Sequence, residues 1–196
     1  MKHKYDIIVV GGGPAGSMAA KYAAENGADV CLLEKTRDIG YPVRCGEAVG
    51  HAGITQFVEM KDTWIAEKIN SCTLVSPDGT KLDVPFANET GYILNRRIFD
   101  YDLSRIASKA GAQIFTKAHV TGLIYRNDRI SGVKVNHIGE EKIIEAKLII
   151  GADGVDSRVG RWAGLKTTVK LRDMEACMQY SVSNIDVKRN NMTMFV

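Results

Sequence analysis

Apolar positions near the start of the chain come in two short unbroken runs, with a segment of longer period between them. Ile7, Ile8, Val9 and Val10 form a run of the kind that suits a parallel strand buried on both faces. Residues 15–25, rich in Ala with one Met, read as a helix, and Asn26-Gly27 ends it because Asn and Gly accept the left-handed conformation that closes helices. A second apolar run, residues 30–33 with Cys31 inside it, stops at Glu34. Strand, helix and strand in this order predict a β-α-β unit.

Further along, two short extended runs in residues 71–86 flank Pro77-Asp78-Gly79, which predicts a hairpin. Over residues 96–110 Ile98, Phe99, Leu103, Ile106 and Ala107 recur at helical spacing, and Gly111 closes that helix. Residues 112–117 then read as a strand. Residues 119–150 alternate and turn at Asn127-Asp128 and at Gly139, as three antiparallel strands would. Met174, Ala176, Met178, Tyr180 and Val182 alternate too, as do Met192, Met194 and Val196, which predicts two strands opening a further sheet.

The residues with chemical meaning sit where these elements meet. Gly11, Gly13 and Gly16 have the spacing G-x-G-x-x-G: one glycine for a tight turn, one for close approach of the backbone to a pyrophosphate, one for packing of helix on strand. Pro14 is tolerated in a first helical turn, where free N–H groups can receive phosphate oxygens. Glu34 follows Gly16 by 18 residues, where a Rossmann unit sets an acid against an adenosine ribose. An acid there favours an unphosphorylated ribose, hence FAD or NAD, while Lys35 beside it weakens that preference. A glycine-rich turn that only packs is the plain alternative. A second signal is Asp153 between Gly151 and Gly154, at the carboxyl end of a predicted strand and so on the usual ligand side of a sheet. The same residues would also serve as a tight turn in which Asp153 caps the next helix.

Composition narrows the picture. A chain of 196 residues can bury an ordinary core and is expected to hold one domain or a domain and a half. No apolar run approaches the roughly 18 residues of a membrane span, and "MKHKYD" lacks a signal-peptide pattern. A cytoplasmic chain is expected, with peripheral contact at a membrane surface left open. Lys and Arg number 26 against 23 Asp and Glu, an excess too mild to predict nucleic-acid binding. Cys31, Cys45, Cys72 and Cys177 are scattered without a C-x-x-C pair and share no ligand spacing with the histidines, which predicts reduced thiols and no metal site.

Taken together, "GGGPAG" with Glu34, Arg96 in "RRIFD" and "GADGVDSRVGRWAG" resemble the flavoprotein superfamily that includes p-hydroxybenzoate hydroxylase. Within it, "YPVRCGEAVG" resembles the geranylgeranyl reductase family, and there the archaeal digeranylgeranylglycerophospholipid reductases. The resemblance implies an α/β fold: a Rossmann-type FAD-binding domain with a β-meander (residues 1–70 and 96–165) and the beginning of an antiparallel substrate-domain sheet (residues 71–95 and 166–196). It also implies that the chain is about the N-terminal half of a larger protein, because a second Gly-Asp motif of the superfamily lies beyond residue 196.

By the same resemblance FAD is the cofactor. Ala15, with Gly11, Gly13 and Gly16, would meet its pyrophosphate, Glu34 its ribose, and Val120 its adenine through the backbone. Cys45, Gly46 and Ala48 would lie along the flavin, Arg96 near the phosphates, and Asp153 at the turn beneath. For Arg96 a solvated surface charge is the alternative, and for Cys45 a small buried thiol. The implied reaction is reduction of isolated C=C bonds in the geranylgeranyl chains of archaeal-type ether lipids. An isolated alkene has no carbonyl to take up negative charge, so proton delivery must accompany hydride transfer. Cys45, Tyr41 and water are the candidates for it, with Cys45 as the catalytic residue the family mark singles out. The electron donor is left as NAD(P)H or a reduced carrier protein. An aromatic-ring monooxygenase and a flavin electron carrier to quinone are the rival readings, and the sequence shows no iron–sulfur cysteine set for the latter.

Overall fold

The computed structural model describes residues 1–87 and 89–196. In chain order the elements are β1 (Lys4–Val10), α1 (Pro14–Glu25), β2 (Val30–Leu33), β3 (Ala48–Gly50), α2 (His51–Thr55), β4 (Ile65–Ile69), β5 (Ser71–Val75) and β6 (Lys81–Pro85). They continue with β7 (Gly91–Leu94), α3 (Arg96–Lys109), β8 (Gln113–Phe115), β9 (Ala118–Arg126), β10 (Arg129–His137), β11 (Glu140–Gly151), α4 (Arg158–Trp162) and β12 (Asn191–Phe195). Two compact units result: Met1–Pro42 with Asp100–Ala176, and Val43–Phe99 with Cys177–Val196. Residues 43–70 thus group with the second unit, whereas the division expected from the sequence set them with the glycine-rich half.

The first unit is a six-stranded sheet in the order β8-β2-β1-β11-β10-β9. Side chains alternate between its faces. Val9, Val30 and Leu32 pack with Ala20 of α1 and Ala107 of α3, while Ile8, Val10, Cys31 and Leu33 pack with Val120, Val133, Val135 and Ile144. Both faces being covered, β1 and β2 read as continuous apolar runs. β11 joins the two halves of the sheet. Its first residues pair antiparallel with β10, Glu140 opposite His137, and from Glu145 to Gly151 it runs parallel beside β1. The meander turns fall where expected, with Asn127, Asp128 and Gly139 all at positive φ.

In the second unit β3, β7 and β4 form one sheet and β12, β5 and β6 another. The β5–β6 hairpin closes at Pro77-Asp78-Gly79 as predicted. The Asp78 carboxylate accepts from the Ser76 hydroxyl and the Thr80 N–H, which holds its pKa down at about 2. β12 adds to β5 in parallel, Asn191 opposite Ser71, so this sheet is mixed. Trp64 is fully buried and meets Phe99 edge to face at 5.1 Å.

One predicted strand is not formed. Residues 174–182 alternate in sequence but have no strand partner among the described residues, and Met174, Met178, Tyr180 and Val182 are exposed. Alternation permits a strand, but only a hydrogen-bonded neighbour makes one. Among the described residues no helix is long and apolar enough to cross a membrane.

Candidate functional site

The glycines do different work. Gly11 has a φ of +108°, and a Cβ there would lie 2.3 Å from the Ala152 carbonyl oxygen, so this position is glycine because β1 turns sharply against the end of β11. A Cβ on Gly16 would lie 1.9 Å from the Gly11 carbonyl oxygen, so Gly16 lets α1 lie against the loop. Gly13 is unlike both. Its φ of −69° suits any residue, and a Cβ there would meet nothing within 4 Å. Neither backbone nor packing requires glycine at position 13, where a Cβ would enter open space at the start of α1.

That space has the donors a pyrophosphate needs. α1 runs 12 residues from Pro14, and the N–H groups of its first turn, those of Ala15 and Gly16, have no helical carbonyl a turn earlier to bond. Ser17 is buried and ties the turn by donating its hydroxyl to the Gly12 carbonyl at 3.2 Å.

Glu34 stands at the end of β2, beside the loop. Its Oε2 accepts from the Gly12 N–H at 2.7 Å, and its Oε1 accepts from the Thr36 N–H and hydroxyl, each at 2.8 Å. The acid is therefore aimed at the glycine loop. A carboxylate has about four acceptor positions, which leaves room for a further hydroxyl such as that of a ribose. Gly12 and Thr36 escaped the sequence reading, because neither has a spacing that marks it. Lys35, which had weakened the choice of an unphosphorylated ribose, pairs with Asp156 at 2.9 Å on the exposed surface.

The β11–α4 turn lies next to this loop. The Ala152 N–H donates to the Val10 carbonyl at 2.8 Å, and Asp153 Oδ2 accepts from the Val159 N–H of α4 at 3.0 Å. Asp153 thus braces the turn by holding a helix N–H. Val120 is buried on β9, and the chain just before it is tied to β2 by the Ala118 N–H, which donates to the Glu34 carbonyl at 2.8 Å. The first unit thus gathers Gly11, Gly13, Ala15, Gly16, Glu34 and Asp153 around the carboxyl ends of β1, β2 and β11.

Cys45, Gly46, Ala48 and Arg96 belong to the second unit. Cys45 is exposed in this chain, and its Sγ accepts from the Glu47 N–H at 3.3 Å. Ala48 opens β3, opposite Ile93 of β7. Arg96, half-buried, is the first residue of α3, while its neighbour Arg97 is exposed. Beside β3 and β7 a cavity of about 310 Å³ is lined by Val49, Ile69, Phe86, Tyr92, Ile93 and Met192 among others. The Tyr92 hydroxyl there lies 2.8 Å from His51 Nδ1. Neither His51 nor Tyr92 has a sequence signal, since β3 and β7 meet only in the fold.

Comparison with known proteins gives the family and the fold. The family model described as FAD binding domain matches residues 4–195. The chain is 46% identical, over its whole length and 51% of the relative, to digeranylgeranylglycerophospholipid reductase of Methanocella arvoryzae. It is 43% identical to the protein of the same name from Methanosarcina mazei, over 100% of the chain and 49% of that relative. The chain spans about half the length of these curated relatives. Among solved structures, a geranylgeranyl bacteriochlorophyll reductase-like protein from Thermoplasma acidophilum superposes with a TM-score of 0.87 at 33% identity, covering 99% of this chain and 50% of that one. The myxobacterial halogenase CndH superposes at 0.66 with 23% identity over 77% of the chain and 37% of its own, a likeness of fold.

Proposed function

The chain belongs to the FAD binding domain family, and from that premise we propose that the whole protein uses FAD to reduce isolated C=C bonds in the geranylgeranyl chains of ether lipids. The observation that carries this reading is the similarity, along the whole chain, to relatives named digeranylgeranylglycerophospholipid reductase. FAD itself fits the residues present: open space at Gly13, first-turn N–H groups of α1 with no helical carbonyl to bond, and an acid aimed at the loop. Bound and reduced, the cofactor supplies a hydride to one alkene carbon, and a proton on the other completes the saturated bond.

The roles proposed for this chain's residues rest on the family resemblance, supported in the first unit by the geometry of the glycine loop. Ala15 and its neighbours hold the pyrophosphate, Glu34 the ribose, Val120 the adenine, and Asp153 keeps the β11–α4 turn in shape. Cys45, Gly46 and Ala48 line the flavin and Arg96 serves the phosphates. An exposed thiol at Cys45 is free to meet a substrate and to pass a proton, whereas a buried one is not. The apolar cavity beside β3 is suited to part of a prenyl chain.

The test uses full-length protein, chemically reduced under anaerobic conditions and given a geranylgeranyl ether lipid. Mass spectrometry should show the gain of two hydrogens per bond. With the lipid unchanged, incorporation of oxygen into an aromatic substrate once air is admitted, or electron transfer to an added quinone, would replace this reading with one of its rivals.

A further inference from the structure

We infer that Glu47 is a positioning residue whose carboxylate latches the Cys45-Gly46 turn onto the start of α3, so that Cys45 and Arg96 are held in one arrangement. This rests on the proposed assignment of those two residues to the site.

The observation is a strained backbone with an unusual set of partners. Glu47 has a φ of +64°, a conformation in which a non-glycine residue persists only where its surroundings over-determine it. Its N–H donates to Cys45 Sγ at 3.3 Å, and its carbonyl accepts from the Leu94 N–H at 2.9 Å. One carboxylate oxygen accepts from the Arg96 N–H at 3.4 Å, and the other from the Gln179 side-chain amide at 3.5 Å. The two ends of the residue thus grip the two sides of the junction: backbone to Cys45 and the end of β7, side chain to the first turn of α3.

A turn alone does not need this residue. Gly or Asn would occupy the left-handed region at lower cost. A glutamate there is accounted for by its reach, which carries a negative charge to a helix N-terminus where an N–H without a helical partner and the partial positive charge of the helix both favour it. β3 begins at the next residue, so the same latch sets the direction in which the chain leaves Cys45.

The experiment compares full-length wild type with Glu47→Gly, Glu47→Asn and Glu47→Gln. Gly and Asn accept the left-handed turn but do not reach α3, whereas Gln keeps both the reach and an acceptor oxygen. In the cofactor-free Gly and Asn proteins, hydrogen exchange at the Arg96 amide should rise about tenfold, while the Leu94 amide, bonded to the retained backbone carbonyl of residue 47, and the melting temperature stay near wild type. Loaded with FAD and lipid, the same two variants should lose saturated product about tenfold, and Gln should restore most of it.

Unchanged exchange at Arg96, or a Gln variant that behaves like the Gly one, overturns the latch. Raised exchange with a wild-type saturation pattern overturns the positioning role and leaves a structural brace. If the Gly variant does not fold, the Asn variant decides by the same criteria. A wild type that leaves geranylgeranyl chains unreduced sinks the proposed function instead, and exchange alone then judges the latch.

Discussion

At the scale of single residues, the three motif glycines make separable predictions although one pattern announces them. Gly13→Ala places a methyl where the protein has no atom, so the cofactor-free protein should melt as wild type does, while FAD affinity measured by titration calorimetry falls. Gly16→Ala drives a Cβ onto a backbone oxygen and should destabilise the fold itself by about 3 kcal/mol or more, read from urea unfolding without cofactor. Equal effects of the two on folding would refute the view that position 13 is kept open for a ligand. Glu34→Ala removes the acceptor of the Gly12 N–H as well as the proposed ribose contact. FAD binding should weaken by about 1.5–3 kcal/mol, roughly 10- to 150-fold in Kd, and retained affinity would place the ribose elsewhere. The motif was legible because its spacing is local. What the spacing does not show is the contact that enforces the turn at Gly11, since that comes from the Ala152 carbonyl, far away in sequence. Glu47 was illegible for a related reason: nothing in "CGEAVG" says that its third residue takes a left-handed backbone.

At the scale of elements, the well-read pieces are those whose burial is written in their own period. β1 and β2 came through as unbroken apolar runs because helices and meander cover both faces of the sheet. Pairing was less legible: β11 reads as a third meander strand, yet half of it forms the parallel seam with β1, because a strand's side chains do not name the neighbour its backbone will take. Residues 174–182 carry the converse lesson, alternation without a partner. The buried centre of β2 has its own consequence for pH. Burial pushes the Cys31 thiol up from 9.0 to about 12, so the folded protein keeps a proton there that the unfolded chain releases earlier. Because the folded value is raised, the associated stability is fully present below about pH 9 and is lost as pH rises toward about 12. Urea midpoints taken between about pH 8 and about pH 11 should fall less steeply for Cys31→Val, an apolar replacement of similar volume, than for wild type. Parallel curves would mean that the thiol is not what titrates.

At the scale of the whole molecule, the residues proposed for one cofactor are divided between two compact units: Gly13, Glu34 and Asp153 in the first, Cys45, Ala48 and Arg96 in the second. The first set stands on its own geometry, since an open glycine, a helix start and an aimed acid converge within one sheet edge. The second set rests on resemblance and on the local order around Cys45, Glu47 and Arg96. An affinity measurement separates them. If Arg96 serves the cofactor, Arg96→Ala in the full-length protein should weaken FAD binding by about 1.5–3 kcal/mol, the range for a hydrogen bond to a charged group. Mass action makes this visible in a second way: FAD at a fixed concentration should raise the melting temperature of the Ala variant less than that of wild type. Unchanged affinity and an unchanged FAD-dependent rise would confine the cofactor's phosphate contacts to the first unit and remove Arg96 from the site.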